Sequence, residues 1–144
     1  MSPSCPAAPG EVTGKQPTPD AACVRRDLSA RAGSYLAVWG APVLAGAVAS
    51  LVSPSVEWAA GVWSLALTWM GGACLVNARR CGRLHCFFSG PILLVGALLA
   101  GLIALRLLDA GAVSLGVIVV GALVLFGLTY AVELAWGRYR RRSA

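Results

Sequence analysis

Two cysteines and the only histidine of this 144-residue chain fall within a few positions of one another: Cys81, His85 and Cys86. They sit in the stretch Arg79-Arg80-Cys81-Gly82-Arg83-Leu84-His85-Cys86-Phe87-Phe88-Ser89-Gly90, and Cys74 lies just before it. Thiolates and imidazole are the donors preferred by soft and borderline ions, Cu(I), Zn(II) and by the same logic Hg(II). Two thiolates suffice for linear Hg(II) or Cu(I). A closed zinc site takes four ligands, for which Cys81, His85 and Cys86 would need Cys74 as the fourth. If the helix carrying Cys74 runs on past Asn77, then Cys74 and Cys81 share a face, as do Cys81 and His85. Gly82 is placed to end that helix and turn His85 and Cys86 back toward Cys81. The arginines around Cys81 favour its thiolate, and the helix C-terminus opposes it. The spacing C-x4-C matches neither a zinc knuckle nor a redox C-x-x-C. Three readings of the stretch stand: a structural loop, a soft-metal site, and thiol redox chemistry through a Cys81–Cys86 disulfide. Cys74 by itself also reads as a small buried hydrophobe.

The elements that must hold these residues are apolar. Hydrophobic residues make up 58% of the chain, charged ones 12%, and mean hydropathy is +0.74. Soluble domains carry about 25% charged residues. This excludes an ordinary soluble enzyme, a nucleic-acid-binding domain and a disordered regulator, and the length allows one domain. A bilayer core of about 30 Å takes roughly 20 helical residues. Four stretches qualify: 35–52, 58–77, 91–108 and 112–136, each helical because lipid cannot satisfy an open backbone. Pro42 is expected to kink the first, and Pro91 to open the third from a first-turn position. The fold class expected is an all-α membrane protein of four spans, arranged as two hairpins. Small residues such as Gly71, Gly72, Ala97 and Gly101 would let the helices approach closely.

Residues 1–34 hold Pro3, Pro6, Pro9, Pro17 and Pro19 among scattered charges, and read as a flexible tail with no signal peptide. Residues 137–144 form a basic tail. With four spans, every Lys and Arg except Arg106 falls on one side, and the positive-inside rule makes that side cytoplasmic. Both termini then share it, in a plasma (inner) membrane. Arg-rich, Ala- and Gly-rich usage suggests a bacterial source. Tyr35, Trp39, Trp136 and Tyr139 mark the inner interface and Trp58 the outer one. Arg106 and Asp109 are expected to pair on one helix face at the outer surface, and Glu133 to reach the inner interface. Cys5 and Cys23, on the cytoplasmic tail, are placed to receive an ion from the loop by exchange between thiolates. The net charge of +6 is explained by topology and calls for no nucleic acid. No nucleotide-binding glycine motif and no Ser-His-Asp arrangement is present, so an enzyme is not expected.

In this architecture, and in its cysteines in a span and a cytosolic loop, the chain resembles the small membrane proteins of bacterial mercury-resistance operons. The resemblance implies Hg(II) import by transfer between thiols, ending on a cytosolic acceptor such as mercuric reductase. By position, Cys74 would be the intramembrane thiol and Cys81 and Cys86 the cytosolic pair. Those importers carry adjacent cysteines in their first span, and this chain has none there. The string Asn77 to Cys86 also resembles a signature of bacterial integral membrane proteins without an assigned activity. The expectation is therefore soft-metal handling by Cys74, Cys81, His85 and Cys86, with Hg(II), Cu(I) or Zn(II) bound transiently. Two other classes stand beside it: a non-catalytic scaffold or accessory subunit of a membrane complex, and a membrane thiol oxidoreductase. The lipid bilayer is the common partner in all three, and homo-oligomers are compatible with each.

Overall fold

A computed structural model describes residues 32–81, 84–109 and 114–136, with the backbone alone for 81, 84 and 132–136. Residues 1–31 of the expected tail 1–34 and the expected tail 137–144, with Cys5 and Cys23, lie outside these residues, as do the side chains of Cys81 and Glu133. The described residues form an all-helical structure of four elements: α1 (Ala32–Val52), α2 (Val56–Cys81), α3 (Leu84–Ala104) and α4 (Leu115–Trp136). Three of them, α1, α2 and α3, are long and apolar enough to cross a membrane, and α4 is apolar over Leu115–Ala131. Their outward faces carry Leu44, Leu51, Leu65, Trp69, Leu98 and Val117, all more than half exposed. So much apolar surface suits lipid rather than water.

Local chemistry sets the helix ends. α1 begins at Ala32, three residues into the stretch expected as tail. It passes through a π-helical turn over Leu36–Gly40, where the Ala41 N–H reaches back to the Leu36 carbonyl. This is the distortion that Pro42 demands, since its ring cannot continue a regular ladder. Pro54 drives Ser53 into an extended conformation and ends α1. Ser55 then caps α2, its Oγ accepting from the Trp58 N–H at 3.4 Å.

α3 departs most from expectation. It starts at Leu84 rather than Pro91, and Pro91 lies inside it. The proline removes one ladder bond, and an apolar environment still favours helix on both sides of it. The buried residues Cys86, Ser89, Leu93, Ala97, Ala100 and Ile103 keep a 3.6-residue rhythm straight through Pro91. The long loop expected over Arg79–Gly90 is therefore mostly helix. At its other end α3 stops at Ala104. The Leu107 N–H reaches the Leu102 carbonyl at 2.9 Å and the Arg106 N–H reaches Ile103 at 2.9 Å. This reverse turn needs a left-handed residue, and Arg106 supplies it at φ 58°. Arg106 consequently leaves the helix face it was expected to share with Asp109. Its Nε pairs instead with Glu57 Oε1 at 3.4 Å, tying the α3 end to the first turn of α2.

The helices pack in chain order, most extensively α2 against α3, while α1 and α4 make no direct backbone contact among the described residues. An apolar cleft of about 650 Å³, floored by Ala59 and Trp63, lies between them. α1 docks on α2 through one device: the Trp63 indole lies over Gly46, donates to Ser50 Oγ at 2.8 Å, and Ser50 in turn donates to the Gly46 carbonyl at 3.0 Å. A Cβ on Gly46 would come within 2.6 Å of the indole ring. Gly46→Ala is therefore expected to destabilise the folded protein by about 1–3 kcal/mol, because a hydrogen-bonded ring has no room to yield. Gly72, where a Cβ meets nothing within 4 Å, is the control. Gly72→Ala is expected to hold or raise the melting temperature, helix-interior alanine being worth roughly 0.5–1 kcal/mol over glycine. Thermal unfolding of the purified protein in detergent checks both.

Candidate thiol site

The site begins with a close approach of two backbones. On α2, Gly71 faces Gly90 on α3. A Cβ on Gly71 would meet the Gly90 carbonyl oxygen at 3.1 Å, and one on Gly90 would meet Leu75 at 2.7 Å. Small residues at a helix crossing permit this proximity. One turn further along α2 the same face carries Cys74 and then Asn77; the facing part of α3 carries Ser89, Cys86 and His85. All five are completely buried. Their periodicity explains the grouping: Cys74 continues the stripe of Leu67 and Met70, and Cys86 that of Leu93 and Ala97.

Neither Cys74 nor Cys86 is in a disulfide, and the two belong to one buried cluster between α2 and α3. His85 Nε2 is 3.2 Å from Cys86 Sγ, and Asn77 Nδ2 donates to the same sulfur at 3.6 Å. Ser89 Oγ stands 3.6 Å from Cys74 Sγ and 2.7 Å from the His85 carbonyl oxygen. A hydroxyl has one proton, so Ser89 alternates. It donates to a Cys74 thiolate, or donates to the carbonyl while accepting from a Cys74 thiol. His85 has the same duality toward Cys86, as acceptor from a thiol or donor to a thiolate, according to its tautomer. Each sulfur thus has a partner suited to either protonation state.

α1 and α4 close the site. The Trp39 indole of α1 is 3% exposed. Its Nε1 approaches the Cys74 sulfur without completing a hydrogen bond to any group. From α4, Tyr130 stacks on His85 with ring centroids 4.4 Å apart and planes 22° from parallel. Phe126 meets Tyr130 edge-on at 5.6 Å. The imidazole is thereby held between Cys86 and an aromatic face.

Of the residues expected to act together, the structure assembles Cys74, His85 and Cys86. Cys81 forms the last residue of α2, and its side chain lies outside those described. His85 and Cys86 are buried helical residues, not members of an exposed loop. Among the described residues, no three His, Cys, Asp or Glu side chains converge in a way that would hold a metal ion. The thiols form a pair, with His85 on Cys86. Sequence reasoning missed Asn77, Ser89, Trp39 and Tyr130. Asn77 and Ser89 left a signal: each is a lone polar residue three positions from a cysteine, which puts it on that cysteine's helix face.

Burial makes a direct expectation. N-ethylmaleimide should label Cys74 and Cys86 slowly in the folded protein, and about a hundredfold or more faster after denaturation, since ~2.7 kcal/mol of local opening suffices for that ratio. Peptide-resolved mass spectrometry measures it; equal rates in the two states would place the thiols at the surface.

No protein-family model, curated protein or solved structure matched this chain.

Proposed function

We propose that this is an integral membrane protein that handles a soft metal ion, with Hg(II) uptake as its leading role and Cys74 and Cys86 as the principal ligands. In this reading the four helices cross the plasma membrane as two hairpins with both termini in the cytoplasm, as the arginine distribution requires. The observation that carries it is the buried pair of cysteines, neither in a disulfide and each supplied with a hydrogen-bond partner. Two thiolates and one Hg(II) make a neutral complex. Neutrality matters here, because a dry site strongly disfavours uncompensated charge. Ion binding displaces two protons, and the neighbouring groups are of the type that can rearrange as it happens. Cys81, at the end of α2, is the next thiol in line. The tail cysteines Cys5 and Cys23 follow as exchange partners toward a cytosolic acceptor.

One observation favours a second reading. Because neither Cys74 nor Cys86 is in a disulfide and the two share one buried cluster, the same pair suits reversible disulfide formation between α2 and α3. The disulfide pair of a thiol oxidoreductase would then be Cys74–Cys86 rather than Cys81–Cys86.

Full-length protein in detergent, carrying Cys5→Ser, Cys23→Ser and Cys81→Ser, isolates the pair. Under reducing, thiol-free conditions it is expected to bind one Hg(II), and adding Cys74→Ser or Cys86→Ser should weaken binding by about a hundredfold or more, the loss of one metal-ligand bond far exceeding ~2.7 kcal/mol. Unchanged affinity in those variants would sink the assignment. A Cys74–Cys86 disulfide trapped from living cells would move the balance to redox chemistry. An absence of both, with a stoichiometric partner on purification, would leave the scaffold role.

A further inference from the structure

We propose that Met70 is a third, uncharged sulfur donor of this site, and that it allows the thiol pair to accept a monovalent soft cation, Cu(I) or Ag(I). The inference rests on the reading of Cys74 and Cys86 as ion ligands and adds the class of ion.

Met70 is one of two methionines in the sequence, the other being Met1. It lies on α2 four positions before Cys74, so the two share a face, with Cβ atoms roughly 5–6 Å apart. Met70 is 1% exposed, Cys74 is fully buried, and both belong to one core cluster with Trp39 and Cys86. Helical side chains lean toward the helix N-terminus, so Cys74 leans back over the turn that carries Met70, whose side chain is unbranched and adaptable. Thioether and thiolate together are the donor set that selects Cu(I) among biological metals.

Charge explains why a third donor matters. A divalent Hg(II) is neutralised by two thiolates. A monovalent ion held by the same two thiolates would leave one net negative charge in a dry core, which is strongly disfavoured. One thiolate with neutral donors restores balance. Beside Cys74 the neutral sulfurs are Cys86 in its thiol form and the Met70 thioether. His85 is set against Cys86 at 3.2 Å, so it serves that sulfur, and Met70 is the uncharged donor on the α2 face that carries Cys74. The buried Trp39 N–H, unsatisfied beside Cys74, is a donor suited to a sulfur that has gained anionic character. Binding one monovalent ion then displaces one proton from the pair, whereas Hg(II) displaces two.

The experiment uses the full chain in detergent with Cys5→Ser, Cys23→Ser and Cys81→Ser, and methyl-13C methionine, which gives only two signals. Ag(I) serves as the redox-inert probe. One equivalent of Ag(I) is expected to shift the Met70 methyl signal with release of one proton, and Cys74→Ser should abolish the shift. Met70→Leu conserves volume and should fold. It is expected to weaken Ag(I) by about tenfold while leaving Hg(II) affinity within about twofold. Ag(I) binding with an unmoved Met70 signal, or equal losses for both ions in Met70→Leu, overturns the proposal and makes Met70 a core filler. In that case the thiol pair still stands as the ion site. Failure of the wild-type pair to bind either ion would instead remove the underlying reading, and the proposal with it.

Discussion

The thiol site depends on one steric fact, the contact of α2 and α3 across Gly71 and Gly90. Leu94 covers the first glycine and Leu75 the second, so neither helix has room for a side chain at that level. The contact fixes the separation and rotation of the two helices a turn before the site. Cys74 and Cys86 then meet because each is a whole number of turns along its own helix from that crossing. Ser64, which donates to the Ala97 carbonyl at 2.9 Å, pins the same pair of helices further along. Between membrane helices there is little hydrophobic drive, so close packing and such bonds carry the association.

A second constraint follows from burial. Five polar or sulfur-bearing side chains share a space with no water-exposed edge, which is disfavoured unless each is partnered. The partners are the site's own members: Asn77 for Cys86, Ser89 for Cys74 and for the His85 carbonyl. The groups have to be read as a unit, and their chemistry is that of sulfur whose charge the surroundings must balance.

Packing around the unit is uneven. α2 and α3 form its floor, while α1 and α4 reach it through single aromatic residues, Trp39 and Tyr130. The backbones of α1 and α4 do not come into contact among the described residues, and side chains of both join the core that α2 and α3 form. The Trp63–Ser50–Gly46 device holds α1 further along, about two to three turns from Trp39.

The sequence alone determined that the chain is helical and suited to lipid, because composition and run length respond to solvent and need no knowledge of contacts. It placed the end of the first span at residue 52, where Pro54 acts on its immediate neighbour. It also drew attention to Cys74, His85 and Cys86, since residue type is enough to suggest sulfur and imidazole chemistry. Three matters were decided only by tertiary structure. Pro91 looked like a helix start, yet the helix runs through it, because burying Cys86 and Ser89 outweighs one missing ladder bond. Arg106 looked like a partner for Asp109, yet the left-handed turn after Ala104 carries it to Glu57. His85 and Cys86 looked like members of a loop, yet they are sealed within the core beside Cys74. In each case a long-range contact outweighed a local preference, and the spacing of residues along a chain records only the local part.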